Sequence, residues 1–147
     1  MFDILICGAG PTGLVSALTF AKQGYKVAVI DPNERDNIKN CPAENKISDL
    51  RSTAHLNPTV DFLRTLGVWD EICANSCPLE KLIIIDDQNE QPIFSTKNKI
   101  VFRASEIGQP CFGYNLPIED SLIGLSKLVK ANENVTCFFG LELQNIL

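Results

Sequence analysis

Phe2-Asp3-Ile4-Leu5-Ile6-Cys7-Gly8-Ala9-Gly10-Pro11-Thr12-Gly13-Leu14 lies at the head of the chain, and the fold follows from how this stretch is read. The apolar run from Phe2 to Cys7 stops at a glycine, as a buried strand does. From Pro11 to Gln23, Leu14, Val15, Ala17, Leu18 and Ala21 recur at helical spacing. Pro11 suits the first turn of such a helix, and Gly24 suits its closing position. Lys26-Val27-Ala28-Val29-Ile30-Asp31 is then a β-branched run that ends in an acid. Strand, helix and strand within about thirty residues make a βαβ unit whose two strands are parallel.

Inside that unit Gly8, Gly10 and Gly13 form a G-x-G-x-x-G in the setting the motif requires. A strand precedes it, a helix opens within it, and Asp31 ends the next strand about 20 residues on. Gly8 permits the tight turn, Gly10 lets the backbone approach a pyrophosphate, and Gly13 allows close packing of helix on strand. Pro11 and Thr12 stand where the helix N-terminus offers free N–H groups and a partial positive charge. Asp31 can accept hydrogen bonds from both hydroxyls of an adenosine ribose, and its charge disfavours a 2′-phosphate. The plainer reading is a tight turn beside a solvated strand end, but the ordered presence of every part favours a dinucleotide. FAD and NAD share the ADP moiety, so the motif does not separate them.

The rest of the chain extends this frame. Residues 32–50 are rich in Asn, Asp, Glu and Lys and form a long polar connection. A helical stretch is expected from near Arg51 to Leu66, with Pro58 either breaking it or starting a second segment. Phe62, Leu63 and Leu66 give that stretch a buried face, Gly67 closes it, and Trp69 reads as a packing residue. After Pro78 the pattern turns to strands: Leu82 to Ile85, a turn at Asp86-Asp87-Gln88-Asn89-Glu90, then Ile93-Phe94 and Ile100-Val101-Phe102. Ile118 to Lys130 reads as a helix through Leu122, Leu125, Leu128 and Val129, and Val135 to Phe139 as a strand. The expected fold class is α/β: a Rossmann-like βαβ with an inserted, mostly antiparallel β module. Residues 1–72 and 113–147 would form the nucleotide-binding part and 73–112 the module. A doubly wound sheet is not completed within these residues, so the chain reads as the N-terminal piece of something longer.

Composition narrows the function. Among 147 residues, 13 basic and 18 acidic side chains give a formal charge of −5, and no polybasic run offers a footprint for nucleic acid. A membrane-spanning helix needs about 20 consecutive apolar residues, and runs such as Leu82 to Ile85 are far shorter. Ile4 to Ala21 lacks the positive n-region of a signal peptide and is interrupted by glycines and Pro11. The six cysteines, Cys7, Cys41, Cys73, Cys77, Cys111 and Cys137, then read as reduced thiols of a cytosol-like compartment. They contain no C-x-x-C, and His55 is the sole histidine, so no metal site is assigned. Asp86, Asp87 and Glu90 read as a solvated turn, and Glu119 and Asp120 as acids placed well against a helix dipole.

Asp3-Ile-Leu-Ile-Cys-Gly-Ala-Gly-Pro-Thr-Gly-Leu14, followed by Leu18-x5-Gly24-Tyr-Lys-Val-x-Val-Ile-Asp31, resembles the FAD-dependent aromatic monooxygenases of the p-hydroxybenzoate hydroxylase type. The likeness continues through Arg51-Ser-Thr-Ala-His-Leu56, Leu63-Arg-x-Leu-Gly-Val-Trp69 and Gly113-Tyr-Asn-Leu-Pro-Ile-Glu-Asp-Ser-Leu122. The branch it is most similar to is the ubiquinone-biosynthesis hydroxylases. The resemblance implies that Gly8, Gly10, Pro11, Thr12 and Gly13 hold the FAD pyrophosphate. It puts Asp31 on the adenosine ribose, where many relatives have Glu, and Arg51 near the flavin's phosphate or ribityl chain. A guanidinium can grip such oxygens as a fork. Asn115 lies near a flavin-contacting amide of relatives, on an alignment too loose to count it among the site residues. Two later family motifs, an Asp-Gly followed by Ser and Arg and a Gly-Asp-Ala-Ala-His, do not occur here.

By that resemblance the complete enzyme is an oxidoreductase that takes electrons from NAD(P)H onto FAD and uses O2 to hydroxylate an aromatic ring. The substrate class would be a polyprenyl phenol on the way to ubiquinone, and the compartment the cytoplasm. A lipophilic substrate would add peripheral contact with the inner membrane or with a biosynthetic complex. No residue here is a candidate acid or base, so no catalytic residue is named. Two alternatives stand beside this reading: the first domain of an NAD-dependent dehydrogenase, and a truncated, inactive piece of the flavoprotein.

Overall fold

The computed structural model of the chain describes residues 1–33, 51–85 and 99–145. Three parallel strands form the first sheet in the order β1 (Ile4–Cys7), β2 (Val27–Asp31) and β8 (Val135–Phe139). The register runs from Ile4 opposite Val27 and from Val27 opposite Val135. The βαβ unit therefore forms as its sequence pattern demands, and the third parallel strand arrives only after a long excursion. Helix α1 (Pro11–Lys22) takes Pro at its first turn, and buries Leu14, Ala17, Leu18 and Ala21. Beyond its last turn Gly24 takes a positive φ and donates its N–H to the Ala21 carbonyl.

Strand alternation turns Ile4, Ile6, Val27, Val29, Val135 and Cys137 to one side, where they join the core. Helices α1 and α4 (Ile118–Ala131) pack there, and α4 contributes Leu125 and Val129. Each large aliphatic side chain buried on this face contributes about 1.5–3 kcal/mol. On the other face Leu5 and Cys7 are exposed, and Phe2 meets Phe138 edge to face at 5.8 Å.

A second sheet is antiparallel, with the order β3 (Ser52–Leu56), β7 (Gly113–Pro117) and β4 (Cys77–Pro78). It corrects the expectation of a helix from Arg51. Ser52 to Leu56 pairs residue by residue with Pro117 to Gly113, so the hydrogen bonds to β7 hold these residues extended. Pro58 then falls in the first turn of α2 (Asn57–Leu66), where its missing N–H costs nothing. Helix α2 buries Val60 and Leu63, and the short α3 (Trp69–Ile72) buries Trp69 against Tyr114, edge to face at 5.3 Å.

The third sheet is a ribbon of β5 (Lys81–Ile85) and β6 (Lys99–Arg103), antiparallel with Leu82 opposite Phe102 and Ile84 opposite Ile100. A 3₁₀ turn, Ala104–Ile107, follows it. The expected turn at Asp86–Glu90, the strand at Ile93-Phe94, Cys41 and most of the polar connection lie outside the described residues.

Candidate functional site

The glycine motif is held by backbone bonds to β2 and by Asp31. Gly8 leaves β1 with a φ of 101° and donates its N–H to the Ile30 carbonyl at 2.7 Å. Gly10 is the N-cap of α1 in extended geometry, and its carbonyl accepts from Leu14 N–H at 3.0 Å. A side chain at Gly13 would overlap the Gly8 carbonyl oxygen, so this position must be glycine for helix and strand to lie this close. Around Gly10, by contrast, a Cβ would meet nothing within 4 Å. The loop is therefore tight underneath and open above.

Asp31 joins the two ends of the motif. Its carboxylate is 4% exposed, and Oδ2 accepts the Ala9 N–H at 2.7 Å. Oδ1 accepts both the backbone N–H and the side-chain Nδ2–H of Asn33, each at 2.9 Å. A buried carboxylate needs such donors, because taking the charge from water costs several kcal/mol when nothing compensates. Ala9 is fully buried, so its N–H in turn needs the acid. Sequence reasoning found Asp31 and missed both Ala9 and Asn33: the pattern marks glycines and the acid, whereas these contacts depend on how the loop turns.

Helix α1 carries no acid in its first turn and no side-chain hydrogen bond at its cap. Pro11 has no N–H to give, and exposed Thr12 and half-buried Gly13 follow it. An uncapped helix start with open space at Gly10 is a fit for an anionic phosphate group. Arg51 stands immediately before β3, where its carbonyl accepts the Ile118 N–H at 3.0 Å. Asn115 donates Nδ2–H to Ser52 Oγ at 2.8 Å across β3 and β7.

A cavity of about 410 Å3 is lined by Pro11 and Thr12 of α1, His55 of β3, Phe62 of α2, Ile72 of α3 and Ser121 and Leu125 of α4, among others. Burial lowers the His55 pKa from the ordinary 6.5. This pocket was not legible in the sequence, because its walls come from five elements spread along the chain from α1 to α4. Among the described residues no group of three His, Cys, Asp or Glu could hold a metal ion, and no helix is long and apolar enough to cross a membrane.

A family model described as an FAD binding domain matches residues 1–129. The chain belongs to this FAD-binding family. One curated relative, the ubiquinone hydroxylase UbiM of Neisseria meningitidis, is 32% identical over 89 residues, 60% of this chain and 18% of the relative. Among solved structures, Pseudomonas aeruginosa PqsL in complex with 2-aminobenzoylacetate superposes with a TM-score of 0.69 at 17% identity. The match covers 95% of this chain and 33% of that one. The flavin-dependent monooxygenase PieE, in complex with FAD and substrate, gives 0.65 at 18% identity, covering 95% and 24%. The FAD-binding chain thus shares its α/β fold with flavin-dependent monooxygenases and spans a third or less of their length.

Proposed function

We propose that this chain provides the ADP-binding part of an FAD-dependent monooxygenase that hydroxylates an aromatic ring. Gly8, Gly10, Pro11, Thr12 and Gly13 would face the pyrophosphate, Asp31 the adenosine ribose, and Arg51 the flavin-side phosphate or ribityl chain. The observation that carries the reading is the Ala9 to Asp31 hydrogen bond at 2.7 Å. It fixes an open glycine turn beside an uncapped helix start, at the carboxyl end of a parallel sheet where such ligands bind. When bound, FAD would supply the redox chemistry, with NAD(P)H as electron donor and O2 as co-substrate. The chain's own part is to hold and orient the cofactor.

The likeness to UbiM supports a phenolic ring in ubiquinone biosynthesis as the substrate class, with a polyprenyl tail as its lipophilic part. Such a substrate would bring the enzyme to the inner-membrane surface from the cytoplasm. In the same reading, residues 73–112 belong to the substrate-facing module, and residues 1–72 and 113–147 to the cofactor part. The test is a titration of the purified chain with FAD and, separately, NAD, followed by flavin fluorescence and calorimetry. Saturable FAD binding that weakens in Arg51→Ala, with NAD poorer, is the expected result. Preference for NAD would overturn the flavoprotein reading in favour of a dehydrogenase domain, and binding of neither would favour an inactive piece.

A further inference from the structure

Four of the five residues of β3 are exposed, and only His55 turns inward, to the cavity it shares with the four helices. Its ring makes no hydrogen bond with any other described residue, and burial alone lowers its pKa. The neutral imidazole keeps one N–H donor and one bare nitrogen acceptor, both without a protein partner. Among the described residues that line the cavity, none besides His55 can carry a charge. Its hydroxyls are turned back on the backbone one turn before them. Ser16 donates to the Thr12 carbonyl at 2.9 Å, Thr19 to that of Val15 at 2.8 Å and Ser121 to that of Pro117 at 3.1 Å. Phe20 and Phe62 line the cavity and stay exposed, so two aromatic rings stand at its mouth. A space of about 410 Å3 falls in the range of about 300–1,000 Å3 usual for small-molecule sites, which set a few fixed polar groups in apolar walls.

We propose that this cavity binds an uncharged planar aromatic molecule with one polar hydrogen, which it donates to the bare ring nitrogen of His55 while Phe20 and Phe62 cover its ring. Charged ligands are rejected, because the walls hold nothing to pair with a charge that has left water. Aliphatic ones gain no ring contact and leave His55 unpaired. The inference does not depend on the FAD reading. The cavity adjoins the glycine turn only through Pro11 and Thr12, and its ligand carries no phosphate.

Indole is the probe, and 1-methylindole, which lacks the N–H, is its control. Each is titrated into the full labelled chain and followed by amide chemical shifts. Wild type is expected to bind indole saturably, with changes gathered at Val15, Ser16, Phe62 and Leu125. It should prefer indole to 1-methylindole by about 3- to 10-fold, the worth of one ordinary hydrogen bond. In His55→Leu that preference should fall to one or below, with 1-methylindole bound as before. A preference that survives in His55→Leu, or a wild type that does not distinguish the two, would overturn the inference. Ser16→Trp is the second variant, since its side chain fills the space from α1, and it should abolish binding of both probes. Unchanged binding there would place the probe elsewhere, as on the exposed β5–β6 ribbon, and would also overturn the inference. So would the absence of saturable indole binding to wild type, a result that leaves the FAD reading to its own titration.

Discussion

Asp31 shows what one residue does at several levels. Its carboxylate satisfies the buried N–H of Ala9 and ties the end of β2 to the turn after β1. Asp31→Ala would leave that donor unpaired, at a cost of about 1–3 kcal/mol. Chemical denaturation should show the loss, and an unchanged midpoint would mean that the bond contributes nothing. Gly13→Ala acts through volume, because the new methyl meets the Gly8 carbonyl. We expect a loss of about 1–3 kcal/mol from the forced shift, with cofactor affinity falling as the turn opens. His55 gives a pH signal. Burial lowers its pKa from 6.5, so the unfolded chain takes up the proton first as pH falls. Stability is therefore full above pH 6.5 and declines below it. His55→Gln should flatten that part of the unfolding profile, and an identical slope in the variant would refute the assignment.

At the level of elements, the sequence was most readable where period and punctuation agreed. Val135 to Phe139 forms the strand its pattern predicted, and α4 begins at Ile118 as expected. The β3 segment failed because Ser52-Thr-Ala-His-Leu56 carries no period of its own. Its conformation comes from β7, over fifty residues away, and no local signal encodes that pairing. The site divides the same way. The glycines and Asp31 could be read from spacing, while the cavity at His55 and the amide of Asn33 required the assembled elements. Helix α4 closes the core with fully buried Leu125. Leu125→Ala should cost about 2–5 kcal/mol, with a matching fall in the thermal midpoint. A loss below about 1 kcal/mol would show that α4 packs more loosely than described.

For the whole molecule, the distribution of apolar surface matters most. On the β5–β6 ribbon, register places Leu82 and Ile84 on one face with Phe102 and Ile100, and all four are exposed by 43–58%. A two-stranded ribbon is marginal by itself, and contiguous apolar surface favours association. Sedimentation should therefore show the chain associating as its concentration rises, and Leu82→Lys with Ile84→Lys should return it to a monomer without lowering the thermal midpoint. A wild type that stays monomeric throughout would contradict this. The central claim, however, concerns where a nucleotide sits. Amide chemical shifts of the labelled chain, followed as ADP is added, test it most directly. Saturable changes concentrated at residues 8–14 and 31–33 are expected. Changes confined to the cavity walls at Thr59, Phe62 and Leu125, with the glycine turn silent, would contradict it.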